Sequence, residues 1–142
     1  MSLWRVEQLT PGVCREWFDH GQIAVYRVLD GSNETVNAYI DAALAQLKIA
    51  RPNRPLLMIH DLTGENLAFT PYFRRRGEEI AEYMETHPVS SVSAVILPKS
   101  VIARPIQNYS EQFTQRAKRA NQRNFDSFEE GLAWVRTYLT KV

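Results

Sequence analysis

A chain of 142 residues with 44% hydrophobic and 23% charged residues has the make-up of an ordinary globular protein, long enough to bury a core without disulfide or metal staples. Its net charge of +1 supplies no field for drawing in nucleic acid or an acidic membrane, and the single cysteine, Cys14, excludes an intramolecular disulfide. No apolar run approaches the ~20 residues a membrane span needs, the N-terminal residues lack a secretion-signal pattern, and no repeat or linker divides the chain. The expectation is one cytoplasmic domain over residues 1–142.

Residues 2–8 read as a short edge strand, closed by the turn cluster Thr10-Pro11-Gly12. A second extended run over 14–18 and a third over 23–29 form a hairpin joined by residues 19–22. Alternation puts Ile23, Val25 and Leu29 on one face of the third run and Ala24, Tyr26 and Val28 on the other, with Arg27 marking an edge or rim. A helix starts at about Asn33 or Glu34, because Val36, Tyr39, Ile40, Ala43, Leu44 and Leu47 recur at steps of three and four. Arg51-Pro52-Asn53-Arg54-Pro55 stops it.

The run over 55–62 is apolar on both faces, so it predicts a central strand covered on both sides. Thr70-Pro71 then opens a helix, with Thr70 at the N-cap and proline at the first helical position. Phe73, Gly77, Ile80, Ala81 and Met84 share a face, and Arg75 and Glu79 are spaced for an ion pair one turn apart. A strand over 92–97, a helix over about 101–117 and a short polar strand over 119–125 follow. Ser127-Phe128-Glu129-Glu130 is a capping box opening a last helix that aligns Phe128, Leu132, Val135 and Leu139. The alternation predicts an α/β domain: a mixed, mostly parallel sheet of about four to six strands, with an opening hairpin and helices mainly on one face.

Three stretches carry a resemblance: the buried strand ending in Asp61-Leu62-Thr63-Gly64, the strand Val92-Ser93-Ala94-Val95-Ile96-Leu97, and the closing run from Asn124 to Val135 with its acidic helix cap. Over roughly residues 23–139 the chain resembles the SpoIIAA-like family, relatives of the STAS domains of anti-sigma factor antagonists, which are similar in fold to the CRAL-TRIO lipid-transfer domain. The resemblance implies a bacterial regulatory or protein-interaction module. It also implies that Thr70 falls near the serine that anti-sigma factor antagonists phosphorylate, although Phe69-Thr70-Pro71-Tyr72 lacks the acidic residue and glycine of that pattern.

The residues themselves point to the carboxyl end of the central strand, where α/β folds gather ligands. Asp61, Thr63, Gly64 and Thr70 are the candidate interaction or phospho-acceptor residues. Asp61 needs hydrogen-bond donors after an apolar strand, Gly64 permits a positive φ, and Thr70 brings a hydroxyl to unpaired helix amides. The plainer reading of Thr70 is a simple cap. His60 and Asp61 point to opposite faces as strand neighbours, His20 and His87 lie in turns without metal-ligand spacing, and no nucleophile elbow, phosphate loop or dinucleotide fingerprint is present.

Arg74-Arg75-Arg76 is balanced by following glutamates, whereas Arg116, Lys118, Arg119 and Arg123 are less compensated. The aromatic residues Trp4, Trp17, Phe18, Phe69, Tyr72 and Phe73 suit a core, a pocket or an interface. The expectation is a protein without enzymatic activity or cofactor, acting on an unknown protein partner as a regulatory module; the alternative is a small apolar-ligand or lipid-binding domain. A twofold homodimer is also expected, checked by light scattering against the 16.4 kDa of one chain.

Overall fold

The computed structural model describes residues 5–51, 53–100 and 103–139; Trp4, Pro52, Val101 and the start of the expected first strand lie outside them. Six strands form one sheet in the order of the sequence: β1 (Arg5–Thr10), β2 (Val13–Phe18), β3 (Ile23–Val28), β4 (Leu56–Asp61), β5 (Ser91–Ile96) and β6 (Ala120–Phe125). The first three run antiparallel, and β3 to β6 run parallel. The turn between β2 and β3 holds Asp19, His20 and Gly21 in the left-handed region, at φ of 53°, 59° and 81°.

Each parallel step needs a crossover, and each is a helix: α1 (Asn33–Lys48), α2 (Pro71–Thr86) and α3 (Arg104–Arg116). All three crossovers advance the sheet in the same direction, and the hand of such connections is nearly fixed, so the three helices pack on one face. The helix α4 (Phe128–Arg136) follows β6 and covers the opposite face. The architecture is the expected mixed α/β sheet with an opening hairpin and helices mainly on one side.

Alternation divides the buried residues between two cores. Ala24, Tyr26, Met58 and Val95 meet α1–α3, together with Val36, Tyr39, Phe73 and Ile106 of those helices. Ile23, Val25, Leu57, Ile59, Val92, Ala94 and Ile96 meet Val135 of α4. All six residues of β5 are buried, as a strand covered on both faces must be. Ser32, Thr70 and Ser127 cap α1, α2 and α4 by accepting hydrogen bonds from backbone amides of the first turn.

Several side chains depart from the sequence expectation. Leu29 is 52% exposed rather than in line with Ile23 and Val25, because β3 ends at Val28 and Leu29 lies beyond the strand. Glu79 pairs with Arg76 at 2.6 Å, not with Arg75, whose guanidinium lies over the Tyr72 ring. Arg76 is drawn away because it also reaches Asp41 of α1 at 2.6 Å. Arg116 is not short of counter-charge: it bonds Glu78 and Glu85 of α2, while Arg123 lies over Phe125 and Trp134. Helix α4 stops at Arg136, so Leu139 reaches the second core from the turn beyond it.

Candidate functional site

At the carboxyl end of β4 the polar groups already serve one another. The Asp61 carboxylate accepts from Arg27 Nη1 at 2.8 Å through one oxygen. Its other oxygen accepts from the Thr63 amide at 3.1 Å and the Thr63 hydroxyl at 2.6 Å. Arg27 in turn donates to Glu16 at 3.1 Å and lies over the Phe128 ring. Asp61 and Thr63 are thus brought together in a closed turn on the α4 side of the sheet.

Gly64 sits next to this turn for a different reason from the one expected. Among the described glycines only Gly21 has a φ in the left-handed region. Gly64 is needed for close approach instead: a Cβ there would lie 2.7 Å from the Leu29 carbonyl oxygen and 2.8 Å from Leu29 Cα. Thr70 is turned to its own helix, its hydroxyl oxygen accepting from the Phe73 amide at 3.1 Å. Thr70→Ala is expected to lower stability by about 1 kcal/mol, read as a shift in the urea midpoint; an unchanged midpoint would show that the cap carries no energy.

The other face of the same strand end is different in kind. One step along β4 from Asp61, His60 points toward α1–α3 and lines a cavity of ≈ 110 Å³ between those helices and strands β4–β6. Its rings belong to a chain of contacts that begins behind the lining, at Tyr26. Tyr26 stacks on His60 with centroids 5.6 Å apart, the pair fixed by their opposed positions on β3 and β4. Tyr39 meets the imidazole edge-on, and its hydroxyl is 2.6 Å from His60 Nδ1. From Tyr39 the contacts continue to Phe73, from Phe73 to Phe69, and from Phe69 to Tyr109 of α3, at 6.0, 5.2 and 5.4 Å. Such pairs favour tilted or offset geometry and contribute about 0.5–1.5 kcal/mol each beyond burial.

No Asp, Glu, Lys or Arg is among the described residues lining this space. Its titratable groups are held uncharged. Burial lowers the His60 pKa from 6.5 to about 4, because no carboxylate stands near to favour the imidazolium. Burial likewise raises the Tyr39 and Tyr109 phenols, with the Glu78 charge adding to the effect on Tyr109. Register places Ser93 of β5 between Met58 and Gln122, and all three line the cavity floor. Gln122 donates to the Ser110 hydroxyl at 2.5 Å, and that hydroxyl donates to Asn124 at 3.0 Å.

The Tyr109 hydroxyl is buried beside the Glu78 carboxylate, whose side chain and charge both act on it. It rests against Gly77 of α2, where a Cβ would come within 3.0 Å of it.

Of the six aromatic residues that suit a core, a pocket or an interface from the sequence, Phe69 and Phe73 line this space, and so does His60, which the sequence reading set aside. The signals that could have marked the cavity are a glycine inside α2 and polar residues facing inward from strands, at Ser91, Ser93 and Gln122. No helix of the described residues is long and apolar enough to cross a membrane, and no group of three or more His, Cys, Asp or Glu among them is placed to hold a metal. No protein-family model matches the chain, and no curated protein sequence matches it.

Proposed function

We propose that this protein is a non-catalytic binding module whose cavity takes a small apolar molecule. One observation carries this reading: a space of ≈ 110 Å³ between the helices and the sheet, lined largely by apolar and aromatic side chains and by no Asp, Glu, Lys or Arg among the described residues. Ligand sites are concave and mostly apolar with a few placed polar groups; this space has that make-up, at a volume below the roughly 300 Å³ where drug-sized sites begin. The polar turn at Asp61 lacks it, since its donors and acceptors are already matched.

The test is a melting curve of the intact protein with toluene. At ten times its dissociation constant a ligand stabilises by about 1.4 kcal/mol, which for a chain of this size raises Tm by about 4 °C. Ser93→Leu, which puts a side chain into the space, is expected to abolish the rise. Equal melting temperatures with and without toluene near its solubility limit would remove the reading.

The regulatory role implied by the SpoIIAA-like resemblance stands as the second proposal. It is supported by the exposed Leu29, whose backbone packs on Gly64, so that an apolar side chain stands beside the polar turn. Its partner surface would be Asp61, Thr63, Gly64 and Thr70. Loss of a defined partner in Thr70→Glu, with the fold intact, would favour it; retention of every partner in both Thr70→Glu and Asp61→Ala would sink it.

A further inference from the structure

We infer that the recess between the end of α1, the β2–β3 turn and the start of β4 is a second binding site, for a small organic carboxylate with an apolar body. It shares no lining residue with the cavity beside His60.

The first support is a chain of hydrogen bonds whose direction is fixed. Arg15 Nη1 donates to the Tyr26 hydroxyl at 3.4 Å, and that hydroxyl donates to Gln46 Oε1 at 2.5 Å. A guanidinium can only donate, so the Tyr26 proton turns onward and the amide oxygen of Gln46 is the accepting end. Gln46 Nε2 is left as the free end, without a partner among the described residues. Gln46 is only 8% exposed, and it lines the recess. The chain therefore delivers two N–H donors to this space, and what they call for is an acceptor.

Charge says what kind of acceptor. Arg51 and Arg54 stand in the same wall, no Asp or Glu is among its described lining residues, and neither arginine is ion-paired to a described residue. The carboxyl end of α1 brings about half a unit of negative charge, which offsets part of one arginine and leaves the recess positive. Glu7, behind Trp17, is already bonded to Arg15 and to the Trp17 indole. Hydrogen bonds to an ionised acceptor are about twice as strong as neutral ones, and the arginine fork matches a carboxylate.

The rest of the wall describes the ligand's body. Ile49 is 82% exposed and Tyr138 39%, two of the four large hydrophobic side chains left exposed among the described residues, and both line the recess with Pro55 and Leu56. An apolar body laid there removes this surface from water. The volume of ≈ 510 Å³ falls within the roughly 300–1,000 Å³ of small-molecule sites. A bare inorganic anion would use the charged end and leave the apolar wall wet.

The experiment is isothermal titration of the intact chain at pH 7 with cinnamate, cinnamyl alcohol and inorganic phosphate. It is run on wild type and on the double variant Arg51→Gln with Arg54→Gln, whose changes are both at exposed positions and leave the core untouched. In wild type, cinnamate is expected to bind at least tenfold more tightly than either the alcohol or phosphate. The double variant is expected to weaken cinnamate at least tenfold and leave the alcohol unchanged. In the nitrogen–proton correlation spectrum of wild type, cinnamate should shift the side-chain amide of Gln46 and leave the His60 ring signals in place. The assignment is overturned if the alcohol or phosphate binds as tightly as cinnamate, or if the double variant binds cinnamate like wild type. It is overturned equally if the Gln46 amide does not move, which would put the anion on surface arginines alone, or if cinnamate fails to bind at about 1 mM. None of these results bears on the cavity beside His60, whose own test is the toluene melt.

Discussion

Acidification from pH 6.5 to about pH 4 is expected to remove about 3 kcal/mol of stability through His60 alone. In the unfolded chain the imidazole takes its proton near 6.5; in the folded protein, burial holds that event down to about 4. Between these values the unfolded state binds a proton that the native state refuses, so stability falls as pH falls. Above 6.5 both states are neutral at this residue and nothing changes; below about 4 both are protonated and the loss is complete. Urea unfolding at several pH values, on wild type and His60→Gln, separates this from the carboxylates, which titrate in both proteins. The variant should show a shallower loss across the window. Parallel pH profiles would mean that the folded protein accommodates an imidazolium between Tyr26 and Tyr39.

Gly64→Ala is expected to destabilise the protein by about 3 kcal/mol, the upper end for overpacking. The atoms that the new methyl would meet are backbone: Leu29 O at 2.7 Å, Leu29 Cα at 2.8 Å and Val28 O at 2.9 Å. They cannot swing aside as a flexible side chain would, because the Leu29 amide is bonded to the Gly12 carbonyl at 2.8 Å and Val28 belongs to a strand paired on both sides. Gly21→Ala is the control. Its Cβ would meet nothing within 4 Å, and only its φ of +81° opposes the change, so it should cost about 1–2 kcal/mol. Chemical denaturation of the two variants should rank Gly64→Ala well below Gly21→Ala. The reverse order would show that conformation, not close approach, sets the need for glycine in this chain.

The contrast between these two glycines shows how far the sequence could be read. The elements were legible because each writes its period locally: the stripe from Val36 to Leu47 makes α1, and Thr70-Pro71 opens α2 at the expected residue. The apolar run before Asp61 makes β4, one of the two strands at the middle of the sheet. What a residue meets across the fold is not written locally. Gly64 looks like a turn glycine until the exit of β3 is laid against it. Arg75 has the ideal spacing for Glu79, yet Asp41 on another helix draws the ion pair to Arg76.

The candidate site shows the same limit in sharper form. Asp61 and His60 are neighbours in sequence, but the pleat sends one to a saturated turn and the other to the cavity. The cavity is a shortfall of volume summed over three helices and three strands. Gly77, Ser93 and Gln122 are each unremarkable in their own segments, and only the register and packing of the whole sheet bring them to one space.

A sheet whose strands follow one another in sequence order has a further consequence while the chain is being made. Each new strand can pair with one already emerged, so the sheet can grow outward from its hairpin as the ribosome proceeds. The face formed by Leu57, Ile59, Val92, Ala94 and Ile96 has no such luck, because its cover, Val135 of α4, is translated after all of it. At about 5–20 residues/s, the roughly 80 residues separating Leu57 from Val135 take about 4–16 s. Until α4 is made this face of the growing sheet stays bare, the state most open to stacking on a neighbour or to capture by a chaperone. A transcript broken before Ser127 would leave that state permanent, with aliphatic side chains of β3, β4 and β5 facing water.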